Sequence, residues 1–412
     1  MATITKSTLD ELLKRLYASW EIEDLVNLSY PVLGQCFAKG SAQLGGSGFF
    51  FPVRTSAAEG HAFIAEDGTL PVSLQSTVRQ AVAQPTVQAG VVQLTGLSMA
   101  VSSGNAAAFA EAFDENVNST IEAMMAYREG AAFRAGDGVI GVFNGDPGTS
   151  GQLVMDDVAF LRNGMSVQVY DVSTAGGTET WFGPYTVGEV QWENRSANLG
   201  TVDATLGDND EVYLASPEHV TGVAPVDREI EGLEKSLLAT GTFLGIDRAV
   251  HANWQAQVLT AASLLDEDIV LRARARVTQE TGIGLSGMGS FKLLCHPTQG
   301  NALFKLSLSR IQFAGTSGIN LLNSDEMKLG NIGVITSYLC PDTTAYLGDW
   351  RYSKTVYTPG GELHIDTEYN GSALKWVATK DVGLVFAKCY SQLIVTRPNA
   401  FCRIISISPA AR

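Results

Sequence analysis

Phe109, Phe113, Val117 and Ile121 recur every fourth residue and run on into Met124 and Met125, while Glu111, Asp114, Glu115, Asn118 and Glu122 fall on the other side. That spacing predicts one amphipathic helix from Asn105 to about Ala135, its apolar stripe turned inward. Asn105 supplies a capping oxygen, Ala106 to Ala108 are strong helix formers, and Gly136 provides the stop. At 1.5 Å per residue such a helix runs on the order of 45 Å, longer than most globular domains need. The stripe describes a core helix; the length also suits the spine of an elongated subunit.

The rest of the chain reads as strands and shorter helices. Residues 7–28 carry Leu9, Leu12, Leu13, Leu16 and Trp20 on one side and Glu11, Lys14 and Arg15 on the other, an amphipathic helix opened by Ser7 and Asp10. After the glycine-rich break at 45–48, FFFPVRTS (Phe49 to Ser56) and VQAGVVQLTGLSM (Val87 to Met99) read as two strands bracketing a polar, turn-rich stretch, the shape of a long two-stranded arm. Residues 161–215 lack helical period and consist of short β runs split by turns, a small all-β insertion. Helix returns at Glu229 to Leu238 and Ala249 to Leu259. DEDIVLRARARVTQET (Asp266 to Thr281) has acids in its first turn and arginines later, as the helix dipole favours. Helices and strands then alternate to residue 350, an α/β layer, and strands fill 374–408. No repeat of 20–50 residues is present, which argues against a solenoid or propeller.

With 412 residues, 45% of them apolar, the chain has ample material for a core. Its formal charge of -15 argues against gripping nucleic acid through phosphates. Cys36, Cys295, Cys340, Cys389 and Cys402 are odd in number and widely spaced, which predicts reduced thiols in a cytosol. The N-terminus has no apolar signal core, and nowhere do about eighteen apolar residues run together, so neither export nor a membrane span is expected.

Catalytic signatures are sparse. Gly136, Gly138 and Gly141 spell Gly-x-Gly-x-x-Gly, but the helix precedes them, so they read as a helix stop and turn rather than a dinucleotide loop. Walker A, Gly-x-Ser-x-Gly and His-Glu-x-x-His patterns are missing. Cys295 and His296 adjoin on a strand and point to opposite faces, which suits a buried thiol and a strand-end histidine better than a metal. Asp208, Asp210 and Glu211 miss the calcium-loop spacing and read as a solvated turn. Arg272, Arg274 and Arg276 read as a solvated helix face, with bridges to a neighbouring subunit as the second reading. No catalytic, cofactor-binding or metal residues are assigned, and an enzyme is not expected.

In order, these pieces resemble the major capsid proteins of tailed double-stranded DNA phages, which share the Hong-Kong-97 fold. The resemblance rests on Phe51-Pro52-Val53 opening the arm, Glu66-Asp67-Gly68-Thr69-Leu70-Pro71 near its middle, and Leu94-Thr95-Gly96 closing it before the long helix. It implies an α+β fold: an N-terminal helical arm (1–44), an extended two-stranded β arm (45–100), a long spine helix with the peripheral domain (101–160), an inserted small all-β subdomain (161–215), a mainly axial α/β domain (216–373), and C-terminal strands returning to the peripheral domain (374–412). The insertion departs from the minimal fold but suits an exposed loop.

The resemblance further implies a structural protein of the virion, made in the host bacterial cytoplasm and assembling with itself into pentamers and hexamers of an icosahedral head. That head encloses double-stranded DNA without binding its sequence. A portal and decoration proteins are implied partners, with a separate scaffolding protein or none; with about forty residues before the arm, no N-terminal processing is expected. Some members of the family weld subunits through an arm lysine, but no lysine lies between Lys39 and Lys235. A shell without covalent cross-links is therefore expected, with Arg54, Glu59, Glu66, Asp67 and Arg79 as candidate ionic contacts of the arm. The alternative is an encapsulin-like nanocompartment shell around an enzyme cargo; a carbohydrate- or receptor-binding β module at 161–215 is a further rival.

Overall fold

The computed structural model describes residues 31–40, 43–46, 48–66, 68–95, 106–145, 150–172, 180–203, 205–219, 223–225, 228–282, 291–308, 327–329, 332–366, 374–376, 379 and 381–408. The amphipathic segment 7–28 lies outside them. The long helix is present as Ala106–Ala131, and Gly136 and Gly138 then turn the chain at φ +90 and +88. Val117, Ile121, Met124 and Met125 are buried while Asn118 and Glu122 are exposed, so the stripe faces inward where its side chains are described. Phe109 and Phe113 lie beyond that stretch.

The helix lies against a six-stranded sheet whose spine is the 14-residue strand Val382–Val395. Ser353–Tyr357 pairs with one part of that strand, and Thr86–Thr95 runs antiparallel to it over ten residue pairs, from Thr95 opposite Val382 to Thr86 opposite Ser391. Helix and sheet touch closely: a Cβ at Gly90 would stand 2.4 Å from Met124 Sδ. The Gln88 amide donates to the Met124 carbonyl at 2.7 Å.

This pairing corrects the arm as read from sequence. Its two strands are Gly48–Arg54 and Val78–Ala83, in register from Phe49 opposite Ala83 to Arg54 opposite Val78. Thr86–Thr95 belongs instead to the sheet under the long helix. Val78–Ala83 lacks a clear strand signal because its buried members, Ala81 and Ala83, are small, Val82 is only half-buried and Val78, Arg79 and Gln80 are exposed.

A second six-stranded sheet runs Gln257–Thr260, Phe401–Ile405, Ala345–Asp349, Phe291–Cys295, Ile332–Thr336, Met327–Leu329. Its partner helices are Glu267–Thr281 and Pro297–Leu308. The first is capped by Asp266, whose carboxylate accepts from Ile269 N at 2.8 Å, and ends at Gly282 with φ +65. The C-terminal strands therefore divide: Leu374–Trp376 and Val382–Val395 join the first large sheet and Phe401–Ile405 the second. Ala249 to Leu259 is not helical: a single turn at Ala252–Trp254 leads into Gln257–Thr260, paired in parallel with Phe401–Ile405. Between Glu229 and Leu238 only Leu233–Ser236 is helix.

The β insertion forms two sheets, one of Val139–Val142, Glu211–Leu214, Ser166–Asp171 and Thr180–Thr186, the other of Val190–Gln191, Ser196–Thr201 and Ser150–Val154. Its separate core gathers Ile140, Phe143, Leu153, Val169, Leu199 and Val212. The unit therefore starts near residue 139, before the boundary expected at 161. Asp210 is buried rather than solvated, its carboxylate accepting from Val172 N at 3.0 Å and Gly207 N at 2.7 Å. All five cysteines are free and buried. Cys295 is fully enclosed, and His296 Nδ1 lies 2.7 Å from Thr298 Oγ1.

Candidate assembly surfaces

Alternation at the root of the arm turns Phe49, Ala81 and Ala83 into the main core, where Val82 N also donates to the Leu244 carbonyl at 3.0 Å. Thr55 N donates to the Thr77 carbonyl at 2.9 Å, after which ladder pairing stops. The two chains nevertheless stay together. A Cβ at Gly60 would come within 2.8 Å of Leu74 N and 2.9 Å of Ser73 Cα, so only glycine permits this approach. The tip turns where Gly68 N donates to the Ala65 carbonyl at 2.9 Å.

This ribbon carries its apolar side chains in water. Phe63, Ile64, Leu70, Val72, Leu74 and Val78 are all exposed, Phe63 completely so. Six exposed large apolar side chains on one ribbon are the kind of surface that suits cover by another molecule. The candidate ionic residues are spread along it: Arg54 and Arg79 on the paired strands, Glu59 and Glu66 farther out, all exposed and not gathered into one cluster. Asp67 lies outside the described residues.

Sequence reasoning missed the anchoring of the long helix. Glu129, 1% exposed, accepts from Val32 N at 2.9 Å and Leu33 N at 3.0 Å and so holds the short helix Pro31–Gln35 against the spine. Burial pushes its carboxyl up to about 7, although those two hydrogen bonds pull the other way. The neighbouring Arg128 is turned to the sheet, where it donates to Cys389 Sγ at 3.0 Å and Ser391 Oγ at 2.7 Å and stacks over Tyr357. Arg134 pairs with Glu229 at 2.7 Å and lies over the rings of Tyr127 and Phe160. Tyr127 also donates to Glu229, and burial holds its hydroxyl above the usual range. The signal was available: charged residues at 128, 129 and 134 interrupt the apolar end of an otherwise amphipathic helix.

Between the long helix, Val87–Ala89 and the β unit lies a cleft of about 960 Å³. Met124, Tyr127 and Phe160 line it on one side, and Met165, Trp181 and Leu214 on the other. Trp181 stacks on His219 with ring centroids 4.0 Å apart and donates to the Val223 carbonyl at 2.9 Å. Burial lowers the His219 pKa. These contacts make a firm apolar wall with three exposed members at its rim: Val87, Leu214 and Val223. Among the described residues no group of three or more His, Cys, Asp or Glu is placed to hold a metal ion.

Neither a family model nor a curated protein matches the sequence. Solved structures do resemble the fold. The Cyanophage A-1(L) capsid asymmetric unit aligns with a TM-score of 0.56 and 12% identity, covering 92% of this chain and 93% of that one. The capsid of the native GTA particle aligns with a TM-score of 0.50 and 10% identity, covering 92% and 91%. The holo-SrpI encapsulin complex from Synechococcus elongatus PCC 7942 covers 96% and 89% at 11% identity, but its TM-score of 0.44 is too low to argue from.

Proposed function

On the fold of a phage capsid subunit, which this chain has, we propose that the protein is the major shell-forming subunit of a tailed double-stranded DNA phage head. The observation that carries this reading is the arm: its apolar side chains are exposed among the described residues, and a neighbour in a shell covers them. Arm and body are different surfaces, so contacts between copies are head-to-tail, and such contacts close into rings or run on as filaments. Closure into pentamers and hexamers gives an icosahedral head in which many weak contacts add up.

The arm has no lysine, so the contacts are non-covalent, drawing on Arg54, Glu59, Glu66, Asp67 and Arg79 at its edges and the apolar strip at its centre. The acidic chain encloses DNA without gripping it. A separate scaffold, a portal and decoration proteins complete the proposed assembly. Negative-stain electron microscopy of the purified protein tests the class: rings and closed shells are expected, and a monodisperse single subunit at all concentrations refutes it. In infected cells, particles filled with genome are expected; shells around a docked enzyme would assign the chain to the nanocompartments instead.

A further inference from the structure

The long helix meets the segment Pro31–Gln35 through one carboxyl group. We propose that Glu129 is a proton-controlled clasp: it holds the chain ahead of Cys36 against the body while it carries a proton, and lets that segment lift as the pH rises past neutral.

The fastening is narrow. Among the described residues, the polar contacts of 31–35 with the rest of the chain are the Val32 and Leu33 amides, which donate to the two Glu129 oxygens at 2.9 and 3.0 Å. Val32 and Leu33 are buried in the main core, so the segment is docked beside that contact. Beyond it the chain is fixed by other means. Ser353 Oγ donates to the Cys36 carbonyl, Phe37 meets Trp350 edge-on at 6.1 Å, and Ala38–Gly40 pairs in parallel with residues 354–356. Opening of 31–35 can therefore stop at Cys36 and leave the sheet intact.

The carboxyl is also without a cation. Cys36 faces it from the short segment, a thiol that burial and Glu129 itself push up and so keep neutral. Lys292, on Phe291–Cys295, lies on the far side of that thiol. From the sheet, Lys39 pairs with Glu362, Lys354 lies along Gly40, and Tyr357 stacks on Arg128. Ile332–Thr336, which packs on the short helix, has no ionisable residue. On the long helix, Arg128 is turned to Cys389 and Ser391 and Arg134 to Glu229. A charged Glu129 is thus met by two amide dipoles alone, in a site from which water is excluded.

The sign follows from the two states. Docked, burial outweighs the two hydrogen bonds and the carboxyl is pushed up to about 7. Lifted, it meets water and returns to its ordinary value of 4.5. Between those values the docked form holds a proton that the open form lacks, so docking is strongest below about 4.5 and weakens as pH climbs through 7.

Hydrogen–deuterium exchange of the full, unassembled chain tests this, with rates corrected for the intrinsic effect of pH. Opening of residues 32–37 should rise about tenfold from pH 6 to pH 8, while the strand Val382–Val395 holds its protection. In Glu129→Gln, which keeps an acceptor oxygen but cannot titrate, the rise should stay within about twofold. Equal opening of 32–37 at both pH values in the parent, or the same slope in Glu129→Gln, overturns the clasp. Should that variant fail to fold, the parent decides alone: exchange of 32–37 relative to 382–395 either changes with pH, as expected, or does not. Because the measurement needs no assembly, the shell reading stands or falls separately.

Discussion

Phe63→Ala separates the stability of the subunit from the stability of its assembly. The ring is fully exposed in the single chain and supports nothing there, so its removal should change unfolding of the unassembled protein by no more than about 0.5 kcal/mol, as for other surface substitutions. In an assembly the same ring goes from full exposure to burial, worth roughly 1.5–3 kcal/mol. Each subunit gives one arm and receives one, so the loss per subunit is one contact, about 2 kcal/mol. At 1.4 kcal/mol per tenfold, the concentration at which assembly begins should rise about 30-fold. Light scattering against protein concentration reads the threshold, and urea unfolding of dilute subunits reads the stability. A threshold that moves less than about threefold, or an unassembled subunit destabilised by more than about 1 kcal/mol, would refute the reasoning.

Other consequences follow from the same geometry. Because the Glu129 carboxyl rises from 4.5 to about 7 on folding, the folded state binds that proton more tightly; its stabilising effect is complete below about 4.5 and is lost as pH climbs through 7, a difference of about 3 kcal/mol. Glu129→Gln should therefore become more stable relative to the parent between pH 5 and pH 8 in urea unfolding, and an unchanged difference would sink this. Glu229→Ala strands the buried guanidinium of Arg134 and should cost about 3–5 kcal/mol by chemical denaturation; a loss under about 1 kcal/mol would show that the pair is dispensable. Gly60→Val forces the arm's two chains apart and should speed proteolysis within 55–77 while leaving the unfolding midpoint in place, so equal cleavage rates would count against the close approach. Mature particles should run as single subunits on denaturing gels, and a ladder of covalent multimers would contradict the non-covalent shell.

The elements most legible in the sequence were those whose signals are local. The long helix and Glu267–Thr281 combine helical period with a recognisable start or stop, and both are found within a few residues of their expected bounds. Strands whose partners are distant were harder. Gln257–Thr260 pairs with Phe401–Ile405 in a register that no local window reveals, and the local pattern of 249–259 points to helix instead. Val382–Val395 is one unbroken strand although Lys388, Ser391 and Gln392 interrupt its apolar run, because each has a specific partner: Asp366 for Lys388, Arg128 for Ser391, the Glu231 and Leu393 amides for Gln392. The arm was legible as an exposed feature, but not its second strand. The cleft was hidden altogether, since its walls come from the long helix, Val87–Ala89, the β unit and the segment around Glu229, which meet only on folding.

The central claim is that the arm is an assembly element rather than a stray loop. A cryo-electron microscopy reconstruction of particles assembled from the purified chain tests it most directly. The account predicts rings closed into a shell, with density for residues 55–77 of each subunit lying on the body of the next. Arms folded back on their own subunits, or shells whose contacts leave Phe63 in solvent, would contradict it.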